Sequence, residues 1–139
     1  MSLDAAARLA IHELLSRAAY GYDERDTEML GDCFAGNAAM TMRIAGGDVI
    51  GPFEGREAIM GLMTGAMAEQ NDVRRHVISN VFFLRESADS AEVVSNLTLL
   101  ATENGAIQLV SAGVYRDRVQ HDGTRWRIAE RHLDLDRAY

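Results

Sequence analysis

The chain has 139 residues, 47% of them apolar and 25% charged, the composition of an ordinary globular protein, and a single domain over residues 1–139 is expected. A formal net charge of −7 excludes the overall positive face that a nucleic-acid partner requires. No apolar run approaches the roughly 18 residues of a membrane span, Met1-Ser2-Leu3-Asp4 lacks the basic start of a signal peptide, and the single cysteine, Cys33, has no internal disulfide partner, so a cytoplasmic location is expected.

Leu3 to about Tyr22 reads as a helix, because Ile11, Leu15, Ala18 and Tyr22 recur at helical spacing and Leu14 widens the stripe. Ser2 or Asp4 suits its N-cap. Asp26 suits the cap of a second, short helix carrying Met29, Leu30, Cys33 and Phe34, ended by Gly36-Asn37. Ala39 to Ile44 reads as a short strand and Gly46-Gly47-Asp48 as a turn. Gly51 to Gly55 reads as a loop running into a third helix, whose apolar face is Ile59, Leu62, Met63, Ala66 and Met67.

After Asn71-Asp72 the period changes. Val73 to Arg85, Ala91 to Thr102, Ile107 to Val119 and Thr124 to Leu133 read as four long strands joined by hairpin turns. Helices first and antiparallel strands after define an α+β fold: three N-terminal helices packed in the concave face of a curved, mostly antiparallel sheet, a cone-shaped α+β barrel. A cone leaves a concave apolar pocket suited to a small hydrophobic molecule. Its convex face, where Val110, Ala112 and Val114 alternate, needs cover, so a homo-oligomer, a dimer, is expected.

The chemistry-bearing residues are few. Asp23 ends the first helix and His76 opens the first long strand. If the fold brings them together, the carboxylate orients the imidazole and stabilises its protonated form, and the ring moves a proton. The same pair also serves as a structural clamp of helix to sheet, and both readings stand at this point. On an alternating strand His76, Ile78, Asn80 and Phe82 share a face, opposite Arg75, Val77, Ser79 and Val81. Tyr22 and Asn80 are candidates to polarise a substrate oxygen. Met40, Met42, Phe53, Met63 and Met67 are candidates for an adaptable apolar lining. His132 shares a face with Glu130 and Trp126 and is a candidate second imidazole in the pocket, with Arg131 paired on the opposite face.

The four histidines are scattered, without a metal-ligand spacing, and no metal is expected. There is no Gly-rich strand-to-helix loop for a nucleotide and no Gly-x-Ser-x-Gly elbow, so no cofactor is expected.

Six segments in order carry a family resemblance: Tyr22-Asp23-Glu24-Arg25-Asp26, Cys33-Phe34-Ala35, Gly55-Arg56-Glu57-Ala58-Ile59, Arg75-His76-Val77-Ile78-Ser79-Asn80, Gly113-Val114-Tyr115-Arg116-Asp117, and Asp122 to Arg131. The chain resembles the SnoaL-like branch of the nuclear transport factor 2-like superfamily. That branch is related to scytalone dehydratase, ketosteroid isomerase, polyketide cyclases, hexachlorocyclohexane dehydrochlorinase and ring-hydroxylating dioxygenase β-subunits. The resemblance implies that Asp23 and His76 match the aspartate and histidine of the dehydratase and the dehydrochlorinase, where the histidine abstracts a proton and a leaving group departs. It equally implies an alternative, a non-catalytic ligand-binding or assembly module like the β-subunits.

Overall fold

The computed structural model describes residues 2–139; Met1, the first residue of the expected domain, lies outside them. Helix α1 spans Ala5–Asp23, with the Asp4 side chain accepting the Ala7 N–H at 2.8 Å. That cap satisfies a backbone donor which the helix itself leaves free. Its buried stripe is Ile11, Leu14, Leu15, Ala18 and Gly21. Gly21 is needed for close approach: a Cβ there would stand 3.0 Å from the backbone nitrogen of Leu30. The approach seats α2 (Thr27–Asp32), capped by Asp26, directly against the end of α1. Helix α3 (Arg56–Ala68) buries Ile59, Met63 and Met67.

Six strands follow or interleave: β1 (Phe34–Ile44), β2 (Ile50–Glu54), β3 (Val73–Glu86), β4 (Ser90–Glu103), β5 (Ala106–His121) and β6 (Trp126–Leu135). They form one sheet in the order β2-β1-β6-β5-β4-β3, antiparallel throughout except for the parallel β1–β6 pair. Helices lie against one face. The main core joins Ile11, Leu15, Leu30, Phe34, Ile59 and Ile128 between the layers. Phe34 is completely buried, which is worth about 1.5–3 kcal/mol for such a side chain.

Two elements differ from expectation. Phe34 and Gly36-Asn37 belong to β1, not to a helix and its stop. The Ile128 N–H donates to the Cys33 carbonyl at 2.7 Å, and Phe34 registers with Ile128, so pairing with β6 captures the chain one residue after α2. Residues 50–54 are an edge strand, not a loop; Met40 registers with Phe53, and the edge position tolerates Pro52.

The long strands also carry bulges that reverse side-chain alternation. Between Ser79 and Phe82 the register with β4 slips, and Asn80 takes a left-handed backbone (φ 55°). Asn80 and Phe82 therefore leave the face of His76 and Ile78, while Val81 and Phe83 turn inward onto the core. On β6 the register slips between Ile128 and Glu130 opposite Arg118 and Val119. Trp126 is buried with the core, whereas Glu130 and His132 turn to the convex side and Arg131 turns in.

Candidate active site in the concave face

The end of α1 meets the start of β3. Helix α1 delivers Asp23 at its last turn, and β3 enters the sheet beside it. The Asp23 carboxylate takes both groups that His76 offers: Oδ2 accepts the backbone N–H at 2.8 Å and Oδ1 lies 2.6 Å from ring Nδ1. Each side chain is only 7% exposed. With Nδ1 committed to the carboxylate, Nε2 is the nitrogen left to work; among the described residues it has no hydrogen-bond partner, and it is not wholly occluded. This is the arrangement of an oriented general base.

Tyr22 completes the dyad's surroundings. Its ring stands edge-on to the imidazole, centroids 4.9 Å apart. Its hydroxyl is taken, donating to the Gln70 side-chain oxygen at 3.1 Å. Burial pushes the Tyr22 phenol above its ordinary value, opposed by the Gln70 hydrogen bond and by Arg74 and Arg25. Beside them Arg74 pairs with Asp72 at 2.9 Å and lies over the Tyr139 ring.

The remaining expected site residues separate. Met40, Met63 and Met67 are buried in the main core, with Phe53 packed against it. Met42 and Ile78 pack against a second apolar cluster, Leu97, Tyr115, Leu133 and Leu135. Asn80 is exposed on the far side of the β3 bulge and does not face the dyad. His132 likewise does not face it. On the convex side it lies 2.7 Å from the Thr41 hydroxyl through Nδ1 and 3.0 Å from Asp134 through Nε2. Both placements follow from the bulges.

The concave face holds an ion pair of which the strand pattern singled out only one member, Arg131, without its partner. Arg131 and Asp117 form a two-bond ion pair at 2.8 and 3.1 Å, fully inside the protein. The guanidinium also stacks on the Tyr115 ring at 4.0 Å. Burial works against the Arg131 charge, but Asp117 and Tyr115 more than offset it, and the group holds its proton more tightly than usual. Ser95, directly across the β4–β5 ladder from Tyr115, is buried and its hydroxyl has no partner. An Arg, an Asp and a Tyr at positions 131, 117 and 115 were visible in the sequence, but only the β6 bulge turns Arg131 toward the other two.

Two surface depressions lie elsewhere. A cleft of about 790 Å³ runs between α1, α2 and the β5–β6 turn, past Leu14, Met29, Cys33 and Trp126, and another of about 400 Å³ lies on the convex sheet near Leu84 and His132. Neither is lined by Asp23 or His76, so size alone is a poor guide here, and the oriented imidazole marks the chemistry better. Cys33 sits under the first cleft with its thiol donating to the Met29 carbonyl at 3.3 Å; burial pushes that thiol up, toward the unreactive protonated form. Among the described residues no three His, Cys, Asp or Glu side chains gather as a metal site, and no helix is long and apolar enough to cross a membrane.

A helical layer in the curve of a six-stranded, mostly antiparallel sheet defines the class. The SnoaL-like domain model matches residues 4–132, and the chain belongs to that family, within the nuclear transport factor 2-like superfamily. No curated protein sequence matches the chain. Among solved structures it is similar to a Nostoc punctiforme protein of unknown function with a cystatin-like fold (22% identity, 98% of this chain and 96% of that one, TM-score 0.82). It is similar to a function-unknown protein of Mycobacterium tuberculosis (25% identity, 94% and 72%, TM-score 0.78). It is also similar to a Novosphingobium aromaticivorans protein assigned as the β-subunit of an aromatic-ring-hydroxylating dioxygenase (19% identity, 96% and 92%, TM-score 0.81).

Proposed function

We propose that the protein is a cofactor-independent lyase or isomerase, dehydratase-like, acting on a small hydrophobic oxygenated ring compound. One observation carries the reading: Asp23 holds His76 by ring and backbone together, leaving Nε2 unpartnered on the concave side beside Tyr22. Nε2 takes a proton from carbon next to an activating carbonyl, and Asp23 stabilises the imidazolium so formed. The proton then returns to another carbon, giving an isomer, or to a departing hydroxyl, giving water. Neither route consumes a cofactor. The single buried thiol suits a cytoplasmic protein.

The test is a panel of hydroxylated ring ketones and polyketide-like compounds screened for elimination or isomerisation. His76→Ala is expected to lower turnover of any active compound by about 10²–10⁴ while the fold persists. Near-normal rates in that variant would sink the mechanism. The second reading, a binding or assembly module, is favoured by the likeness to the dioxygenase β-subunit. Compounds that bind but never react would make it the better one.

We also propose that the chain works as a homodimer joined through the convex sheet. Val77, Phe82, Leu84, Ile107 and Leu109 on or near that face are 43–71% exposed, apolar side chains that a partner would cover. A light-scattering mass of one chain at micromolar concentration would count against it.

A further inference from the structure

Beside the dyad stands a cation to which the general-base reading gives no task. Arg74 and His76 are alternate residues of β3, and the register with β4 runs without a slip from Val73 to Ser79, so both side chains leave the strand on the inner face. Asp72 holds the Arg74 guanidinium through Nε at 2.9 Å and Nη2 at 3.4 Å. The other terminal nitrogen, Nη1, is buried and has no hydrogen-bond partner among the described residues. A buried guanidinium nitrogen without an acceptor is unfavourable, and an arriving oxygen relieves it.

We propose that Arg74 anchors a carboxylate of the substrate, so that the compound His76 works on is a ring carboxylic acid, and that Tyr139 covers this anchor until the acid displaces it. The proposal rests on the general-base reading for the chemistry that follows binding. Alternate residues of a strand stand about 7 Å apart, so an acid group held at Arg74 leaves the ring that carries it beside the imidazole.

The charges around the dyad favour an anion over a neutral oxygen. Arginine meets a carboxylate through short, charge-assisted hydrogen bonds, the strong form of this contact. Arg25 lies at the same end of α1, donates to the Gln70 backbone carbonyl at 2.7 Å, and has no ion-pair partner among the described residues. The Asp23 carboxylate is already taken by the ring and backbone of His76. At the Tyr22 hydroxyl, Arg74 and Arg25 each act more strongly than Asp23, so the field there favours negative charge. Arg75 adds nothing to it: it leaves β3 on the opposite face and pairs with Glu24 at 2.9 Å.

The cover comes from the segment after β6. The Asp136 N–H donates to the Ala112 carbonyl at 2.8 Å, and the Ser111 hydroxyl donates to the Arg137 carbonyl at 2.8 Å, which ties the segment to β5. Two residues on, the Tyr139 ring lies over the Arg74 guanidinium, its centroid 4.7 Å from Cζ. The segment has thus crossed from β6 past β5 to β3. Burial pushes the Tyr139 phenol up, with Tyr22 adding to the push and Arg74 opposing it, so the ring sits near both. Tyr22 in turn stands edge-on to His76. Tyr139 makes no hydrogen bond among the described residues and is half-exposed, so a guest has only a stacked ring to move. Once it moves, the face of the guanidinium opens beside the dyad.

The probes are 2-naphthoate and its uncharged amide, 2-naphthamide, titrated by calorimetry, with the His76 and His132 ring signals followed by NMR. The wild-type chain is expected to bind the acid about tenfold tighter than the amide. The acid should move the His76 signal and leave that of His132, on the convex face, in place. Arg74→Gln is expected to abolish the preference for the acid. Arg75→Gln, which removes the same charge from the opposite face, should keep it. Tyr139→Ala is expected to tighten the acid about threefold, because the closed state no longer competes. A preference that survives Arg74→Gln, or falls equally in Arg75→Gln, overturns the anchor, as does an unmoved His76 signal or an acid that does not bind. Weaker acid binding in Tyr139→Ala overturns the cover. Should Arg74→Gln fail to fold, Arg74→Lys takes its place: its ammonium serves Asp72 but brings no second terminal nitrogen, and an undiminished preference there counts against the anchor. The base is judged apart from this. No acid preference in wild type, with His76→Ala inactive on an uncharged ketone, removes the anchor and leaves the dyad. An Arg74-dependent preference, with ring acids turned over normally by His76→Ala, removes the dyad and leaves the anchor.

Discussion

Two acid–base pairs lie inside the concave face, and they are built for different work. Asp117–Arg131 is closed: two parallel hydrogen bonds join a carboxylate to a cation that is never without its proton, and the guanidinium face is covered by Tyr115. Asp23–His76 is open. The carboxylate is saturated by ring and backbone, but the imidazole keeps a nitrogen with nothing on it. Distance does not separate them, since both are tight and both are dry. What separates them is whether the base has a second, unemployed nitrogen. The first pair ties β5 to β6 on the sheet's inner surface; under the proposed function the second exchanges a proton with a guest.

The contrast breaks most sharply through Arg131→Met. The Asp117 side chain is completely buried, and losing its cation leaves a bare charge there. A loss of about 3–5 kcal/mol is expected in urea unfolding. The double variant Asp117→Leu with Arg131→Met should recover most of it, because apolar side chains of similar volume cost no desolvation. A double variant as unstable as the single would show that the pair is more than a self-contained clamp. The open pair should respond in the other currency. Asp23→Asn keeps an acceptor for the His76 N–H, so stability should fall by only about 1 kcal/mol, while turnover of any active compound drops at least ~10²-fold because an amide cannot stabilise the imidazolium. Equal losses of stability in Asp23→Asn and Arg131→Met would erase the distinction and favour the clamp reading of Asp23–His76.

The sequence revealed the open pair and hid the closed one, for a physical reason. Asp23 sits at the end of a strongly periodic helix and His76 at the start of a strand before any irregularity, so both positions can be counted from an element's edge. Helix order, strand order and the concave packing were legible in the same way. Alternation carries information only until the first bulge. Past Asn80 the faces of β3 exchange, which removes Asn80 and Phe82 from the expected wall and brings Val81 and Phe83 to the core. On β6 the slip around Ala129 turns His132 out and Arg131 in. Nothing in Asn80-Val81 or Ala129-Glu130 distinguishes a bulge from a regular step; it is fixed by pairing with the neighbouring strand and by how far the sheet must coil around the helices. The edge strand β2 was missed for a related reason. Gly51-Pro52 reads as a loop, and only its pairing with Met40 and Met42 makes it a strand.

The finest difference between the pairs lies in what each does to its aromatic neighbour, and alkaline pH exposes it. Burial raises the Tyr115 phenol above its ordinary value of 10.0; Arg131 pulls it down, and Tyr139, Asp117 and Asp23 push it further up. Tyr22 moves in the same direction, less deeply buried and with Gln70 pulling against it. A group whose folded pKa is raised binds more protons in the native state than in the unfolded chain once pH passes the unfolded value. Its contribution is therefore whole below about pH 10 and is lost as pH rises through the folded value. At neutral pH Tyr115→Phe should change stability little, because the hydroxyl it removes has no partner in the protein. Above pH 10 the wild-type chain should lose about 1.4 kcal/mol per pH unit for each such tyrosine. Tyr115→Phe should flatten that slope by one group's share, and Tyr22→Phe by less. The urea midpoint measured from pH 8 to 11 reads this directly. Parallel slopes for wild type and Tyr115→Phe would mean that the phenol beside the closed pair is already in contact with water, and the two tyrosines would no longer divide along the line that divides the two pairs.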